Sequence, residues 1–376
     1  MNPVSKSKSC PLKAQQKTFY LQQNRVASCC RAKADTLDPA DRLDHYLAKW
    51  QQERQLLDQG VEIPGCEVCW QQEKQGQLSY RLTAPDLNQI ELYLSNLCNQ
   101  MCSYCSPKFS SAWEHSLKTQ GMFVDISASA RQNLQTAQST ADADHWIDQI
   151  SQYLATQPKQ SVIVKLLGGE PLMQQRNLET LLTFNLDSIK TLGIHTNLNP
   201  PNNKFLLWLL QNIDTDRLSF TISIDSSPKF NQWPRAKFDQ FQFENNLEEL
   251  KKHKISTAIN AVISVLSVFD LPNFIDWATH QKIKINFAKL YNPTCLDPAL
   301  IPLEFRKQIQ DQILNFEMPA LIKEVLGAPT AIDRIRLIEQ HNYLTQYFAR
   351  NNLDPGQYDN VLFRQYWTWL TKNYKK

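Results

Sequence analysis

Beyond residue 160 the chain alternates short apolar or β-branched runs with longer polar stretches of helical spacing. Strand-like runs fall at 89–96, 161–167, 193–197, 218–225, 256–264 and 283–290. Helix-like segments occupy 141–156, 172–190, 201–212, 243–253 and 271–281. This alternation predicts an α/β fold with parallel strands. Pro171 and the Pro200-Pro201 pair mark helix starts. Six such units are too few to close an eight-stranded barrel, so an open partial (β/α)6 barrel is expected. Residues 117–140, rich in Ser, Thr, Ala and Gln, read as a solvated insertion, with a mobile flap as the alternative. Residues 300–376 have helical spacing, as in Phe305, Ile309 and Ile313. Their aromatic end (Tyr366, Trp367, Trp369, Tyr374) reads as packing. The chain is therefore divided into segments 1–85, 86–297 and 298–376.

Composition narrows the classes. An apolar share of 42% over 376 residues is enough for a sizeable core. Forty basic and 37 acidic side chains leave a net charge of +3, with no single-sign field of the kind nucleic acids attract. The N-terminus shows no apolar signal core, and no run reaches the roughly 18 apolar residues that span a bilayer. The longest candidate, 259–269, is short and carries Asn260, Ser264 and Ser267. Neither nucleic acid nor a membrane is expected as a partner. Nine cysteines in clustered spacings, without an export signal, favour metal binding over disulfides. A reducing cytoplasm and oxygen sensitivity are expected.

Three of those cysteines, Cys98, Cys102 and Cys105, lie on one tight loop after the run at 89–96. Iron–sulfur cubanes are held by cysteine thiolates, usually four. Three would leave one iron open to another ligand, as catalytic metal sites require. The polar residues at the C-terminal ends of successive strands point to the same pocket-forming end. They are Gly168-Gly169-Glu170, His195-Thr196-Asn197, Ser223 with Asp225, Asn260 with Ser264, and Lys289 to Tyr291. His195 and His253 read as structural, and Asp225 as either a substrate-orienting or a helix-capping residue.

The spacing C-x₃-C-x-φ-C, with Tyr104 at the aromatic position, resembles the signature of the radical SAM superfamily. The resemblance implies a [4Fe–4S] cluster on Cys98, Cys102 and Cys105, whose open iron chelates S-adenosylmethionine. It implies reductive cleavage of that cofactor to a 5′-deoxyadenosyl radical, which abstracts hydrogen from a substrate. It implies the partial-barrel core and an external electron donor such as flavodoxin or ferredoxin. Gly169 and Glu170 match the family's GGE motif, which contacts the cofactor's amino group. Thr196, Asn197 and Ser223 match positions that contact its ribose or carboxylate.

Five further cysteines precede this core: Cys10, Cys29, Cys30, Cys66 and Cys69. Four of them suffice for an auxiliary iron–sulfur cluster or for zinc. Cys10-Pro11, the Cys29-Cys30 pair, and Cys66-x₂-Cys69-Trp70 with Gly76, Ser79 and Arg81 resemble the twitch auxiliary-cluster domain. That resemblance implies Cys10, Cys66, Cys69 and one of Cys29 and Cys30 as ligands, Cys29 being taken as the fourth. Such a cluster could relay electrons or, with one iron freed of its protein ligand, bind substrate; four available ligands favour relay. Cys295 reads as a small apolar packing residue. Two functions compete. One is a radical SAM enzyme acting on a peptide or small molecule. The other is a non-catalytic zinc or iron–sulfur module gripping nucleic acid or a protein partner. The substrate and any catalytic acid or base are not legible.

Overall fold

The computed structural model describes residues 10–13, 15–38, 40–84, 87–135, 143–313, 319–329 and 333–374. The helical reading at 141–156 and the insertion at 117–140 each fall partly outside them. Strands are β1 (Gln16–Tyr20), β2 (Arg25–Ala27), β3 (Asp35–Thr36), β4 (Gln89–Tyr93), β5 (Met101–Cys102) and β6 (Val162–Leu167). They continue with β7 (Ile189–Thr196), β8 (Leu218–Ser223), β9 (Arg235–Ala236), β10 (Ser256–Ile263) and β11 (Lys284–Lys289). The protein is a mixed α/β fold in which most strand pairs of the main sheet are parallel. Among the described residues no helix is long and apolar enough to cross a membrane.

The chain forms two compact units interleaved in sequence. The first comprises residues 1–96, 137–195 and 204–219. Its strands pair in the order β7-β6-β4-β1-β2-β3. β7, β6, β4 and β1 run parallel; β2 and β3 continue antiparallel. β6 shows how this sheet is solvated. Parallel strands covered on both faces read as unbroken apolar runs. In β6 Val162, Val164 and Leu166 are buried while Ile163, Lys165 and Leu167 on the other face are half-exposed. One face is packed and the other stays half-exposed. On that second face Glu91 of β4 accepts from Thr18 of β1 at 3.1 Å and lies 4.0 Å from Lys165. Burial and Lys165 depress His195 to about 4, so its ring is neutral. β1 was not expected from the sequence, because Gln16 and Lys17 interrupt its apolar pattern. Both are buried all the same, with Lys17 bonded to Asn88 and set over the Tyr153 ring.

The second unit comprises 97–136, 196–203 and 220–376. It holds the parallel pair β10–β11, with β8 beside β10, and a separate antiparallel ribbon of β5 and β9. The helix Leu271–Gln281 illustrates its local logic. Pro272 sits in the first turn, Leu271, Phe274 and Ala278 make the buried stripe, and Lys282 at φ +58 ends the helix in the left-handed region. The helices Leu303–Gln312, Ala320–Gly327, Arg334–Arg350 and Val361–Asn373 share this unit's core. Tyr366 packs on Phe269 and Phe305, and Trp367 on Phe348, so the aromatic end is packing.

The expectation of a solvated insertion at 117–140 is overturned over its described part. Helices Ser111–Gln120 and Ala128–Asn133 occupy it, and Phe123, Ile126, Ala130 and Leu134 are buried in the core. Four apolar residues spaced irregularly among polar ones gave no periodic signal. They are buried because Phe123 packs on Trp113 and Tyr343, and Gln346 pairs with the backbone of Val124.

Candidate functional site

The loop carrying Cys98, Cys102 and Cys105 is braced from several sides within the second unit. Cys98 is tied to the start of the Ser111–Gln120 helix: its backbone N–H donates to Ser111 Oγ and its carbonyl accepts from the same hydroxyl, both at 3.1 Å. Ser110 caps that helix and donates to the Gln100 carbonyl at 2.7 Å. Buried Trp113 donates its indole N–H to the Cys102 carbonyl at 2.9 Å. Tyr343 and Tyr347 donate to the carbonyls of Ser103 and Met101 at 2.6 and 2.9 Å. Cys105 N–H closes a turn onto the Cys102 carbonyl. Buried carbonyls rarely remain unpaired, and satisfying them from rigid aromatic side chains fixes the loop.

A polar knot lies beside it. Cys102 on β5 is directly opposite Arg235 on β9. Arg235 donates through Nη1 to Cys102 Sγ at 3.4 Å, through Nε to Asp225 Oδ2 at 2.8 Å, and through Nη2 to Tyr104 Oη at 2.5 Å. Tyr104 donates its hydroxyl to Asp225 at 2.8 Å. Asp225 also accepts from the Val262 N–H at 2.8 Å, and its own N–H donates to Asn231. All four side chains are largely screened from water. Burial opposes the Arg235 charge, but Asp225, Tyr104 and Cys102 outweigh it and raise its pKa. Burial raises the Cys102 thiol against the pull of Arg235, and pushes Cys105 up to about 12. These thiols are protonated at neutral pH until a metal displaces the proton. Asp225, read as substrate-orienting or helix-capping, caps none of the described helices: its carboxylate anchors the knot.

Thr196 and Asn197 stand in the same unit. Thr196 Oγ1 accepts from Leu198 N–H, and Asn197 Oδ1 from Asn199 N–H, both at 2.8 Å. They shape a turn in which Leu198 takes φ +54. Asn197 Nδ2 also reaches Asn99 Oδ1 at 3.1 Å and lies 3.9 Å from Cys98 Sγ. Asn99 in turn donates to the Asn199 carbonyl at 2.6 Å. Ser223 ends β8, half-buried. Cys295 is packed in the core.

Gly168, Gly169 and Glu170 belong to the first unit. Gly168 at φ +75 needs glycine twice over, since a Cβ there would meet Tyr93 Cδ1 at 2.6 Å. Gly169 is also left-handed, at φ +52. Glu170 is fully buried and accepts from Leu172 N–H at 3.0 Å, capping the short turn Pro171–Met173. Its carboxylate is thus held by its own backbone.

In the first unit Cys10, Cys29, Cys66 and Cys69 line one cavity, together with Leu12, Lys13, Arg31, Ala32, Leu57 and Arg81. Two turns bring them together. Cys29 closes a turn through its carbonyl and the Ala32 N–H, and Cys66 precedes the helix Glu67–Lys74, which carries Cys69 in its first turn. Lys33 N–H donates to the Gly65 carbonyl at 2.8 Å and joins the two turns. Cys30 is exposed and does not line the cavity. Arg81 pairs with Glu73 through two hydrogen bonds of 2.7 and 2.5 Å and stacks over Trp70 at 4.1 Å. Ser79 donates to the same Glu73. Lys13 pairs with Glu53 at 2.5 Å. Burial raises the thiols of Cys10 and Cys66, and pushes Cys29 up to about 12.

Among the described residues no three His, Cys, Asp or Glu side chains converge closely enough to hold a single metal ion. A tetrahedral zinc draws its sulfurs to about 2.3 Å from one point. The two cysteine sets differ in number: the cavity of the first unit has four sulfurs, and the loop at 98–105 has three. Arg235 was not anticipated from the sequence, and neither were Trp113, Tyr343 and Tyr347. No local signal marks them, since each acts on the loop from another element.

No family model and no curated protein matches the chain. Solved structures do. One is hexahistidine-tagged anSMEcpe with bound AdoMet, at 14% identity and TM-score 0.40, covering 69% of this chain and 57% of that one. Another is Streptococcus suis SuiB bound to S-adenosylmethionine, at 15% identity and TM-score 0.40, covering 76% and 59%. A third is S. suis SuiB bound to precursor peptide SuiA, at 14% identity and TM-score 0.37, covering 86% and 55%. The chain thus spans less than two thirds of the length of each. Likeness at this level is too slight to assign a fold or an activity, and the reading of the site stands on this chain's own residues.

Proposed function

We propose that this protein is a radical SAM enzyme with an auxiliary iron–sulfur cluster, acting on a peptide or a small molecule. The observation that carries the proposal is the braced three-cysteine loop. Its backbone carbonyls are fixed by Ser111, Trp113, Tyr343 and Tyr347, yet it offers only three thiolates. A structural site would close its coordination with a fourth protein ligand. In this reading Cys98, Cys102 and Cys105 hold a [4Fe–4S] cluster that, when bound, supplies the electron for cleaving S-adenosylmethionine into a hydrogen-abstracting radical.

The chain's own residues have separate tasks. Trp113 and the two tyrosines keep the loop rigid. Asn197 lies against the Cys98 sulfur and fixes Asn99 at the loop's start. Gly169, Glu170, Thr196 and Ser223 remain assigned to the cofactor on the sequence resemblance. In the first unit Cys10, Cys29, Cys66 and Cys69 would hold the auxiliary cluster. Four thiolates around a cluster would leave a net negative charge; Lys13, Arg31 and Arg81 line the cavity wall, Lys13 and Arg81 being already paired with Glu53 and Glu73. Four protein ligands leave no open iron, which suits electron relay.

The test is anaerobic reconstitution of the full chain. About eight irons should bind if two cubanes form. With a one-electron reductant such as reduced flavodoxin, S-adenosylmethionine should yield 5′-deoxyadenosine. Stoichiometric zinc in place of iron, or a metal-loaded protein that never cleaves the cofactor, would refute the proposal and favour a binding module.

A further inference from the structure

We infer that Arg235 is a positioning residue for the three-cysteine cluster, holding Cys102 and setting the cluster's reduction potential. The inference rests on the cluster reading above and adds a residue that the cysteine spacing does not contain.

The geometry is specific. Pairing of β5 with β9 sets Arg235 across from Cys102, and its Nη1 reaches the sulfur at 3.4 Å. A guanidinium has a planar fork of donors, so fixing one edge aims the other. Asp225 takes the Nε edge at 2.8 Å, and Nη2 is shared between Asp225 at 3.3 Å and Tyr104 Oη. Nη1 is thereby directed at the sulfur. Asp225 cannot swing away, because the Val262 N–H holds its Oδ1. The ribbon is clamped in turn by Tyr347, which donates to the Met101 carbonyl and accepts from Ala236 N–H. Arg235 is 7% exposed, so its field is little screened.

Reduction adds one negative charge to a cluster. An N–H donor at a ligand sulfur stabilises that added charge and raises the potential. Asp225 offsets the net charge of Arg235 but lies on the other edge of the fork. The donor facing Cys102 therefore decides the sign.

The experiment is a potentiometric titration of the anaerobically loaded full chain, followed by electron paramagnetic resonance. The signal that changes on adding S-adenosylmethionine identifies the relevant cluster. Arg235→Met should lower its midpoint enough that the reduced-to-oxidised ratio at a fixed potential falls about tenfold, or about 59 mV for one electron. Arg235→Lys, which keeps the charge and loses the fork, should fall between. An unchanged midpoint in a variant with full iron content would overturn the inference, even if its melting temperature drops. Should Arg235→Met fail to load iron, Arg235→Lys alone decides: a midpoint equal to wild type overturns the inference. A wild-type protein with no cofactor-sensitive signal would instead sink the cluster reading itself.

Discussion

The two cysteine regions share a device and differ in its aim. Each sets a buried arginine between a carboxylate and an aromatic ring: Arg235 with Asp225 and Tyr104, Arg81 with Glu73 and Trp70. In the second unit the remaining edge of the fork meets a cysteine sulfur, and three cysteines share the loop. In the first, Arg81 lines a cavity that already has four. One region has three cysteines and is rich in bracing from distant helices. The other has four, held by local turns. On the proposed reading coordination number and rigidity are settled separately: an open iron would need a loop that other elements keep in place, while four ligands would help to hold themselves.

The strongest way to break this comparison is to delete one thiolate from each region. Cys102→Ala should abolish cleavage of S-adenosylmethionine and lose about four irons. Cys29→Ser should lose a similar amount of iron while cofactor cleavage persists, and Cys30→Ser should lose none. Iron analysis and 5′-deoxyadenosine formation distinguish the three. If Cys30→Ser, and not Cys29→Ser, cost iron, the cavity described above would be the wrong one.

Carboxylate variants probe the two arginine devices. Asp225→Asn strands a buried guanidinium and should cost about 3–5 kcal/mol in denaturant unfolding of the metal-free protein. Glu73→Gln keeps a hydrogen-bond acceptor at a rim with 16% side-chain exposure, and should cost about 1–3 kcal/mol. Equal losses would erase the distinction between them.

Acidity gives a subtler contrast, because the units hold opposite buried titrating groups. Burial raises Asp270 of the second unit to about 6, despite hydrogen bonds from Ser227 and Asn273. A raised carboxyl favours the folded state while protonated, so its contribution is full below about pH 4 and is lost as pH rises through 6. Asp270→Asn should flatten this dependence, removing about 3 kcal/mol of variation. Burial lowers Lys17 of the first unit to about 8. A depressed ammonium penalises folding when charged, so stability should rise from about pH 8 to about 10.5. Lys17→Met should remove that rise. The smallest effect is expected from loading: buried thiols must lose protons, so cluster uptake should improve modestly as pH rises from about 7 to about 8.5.

The strands of the α/β core were legible to within a few residues. The run read at 218–225 is β8 at Leu218–Ser223, and the helix at 271–281 matches Leu271–Gln281. Their period-two burial is a local signal that survives folding; of the proline starts, Pro171 opens only the short turn Pro171–Met173, and the helix read from Pro200-Pro201 begins at Lys204. β1 was hidden, because its buried Lys17 and Gln16 break the apolar pattern and Lys17 depends on partners at Asn88 and Tyr153. The described part of the insertion at 117–140 was hidden for the opposite reason: its apolar residues are sparse, and they find their place only in a core built from distant segments, with Phe123 on Trp113 and Tyr343.

By itself the sequence determined which thiols belong on one loop, since spacing along a short turn limits where three sulfurs can lie. Tertiary structure alone decided that Cys29, and not Cys30, lines the cavity, and that Arg235 faces Cys102 from 133 positions away. Adjacent cysteines have indistinguishable local chemistry, and a cross-strand partner is chosen by register. Both are fixed only when distant segments pack and every buried polar group must find its match.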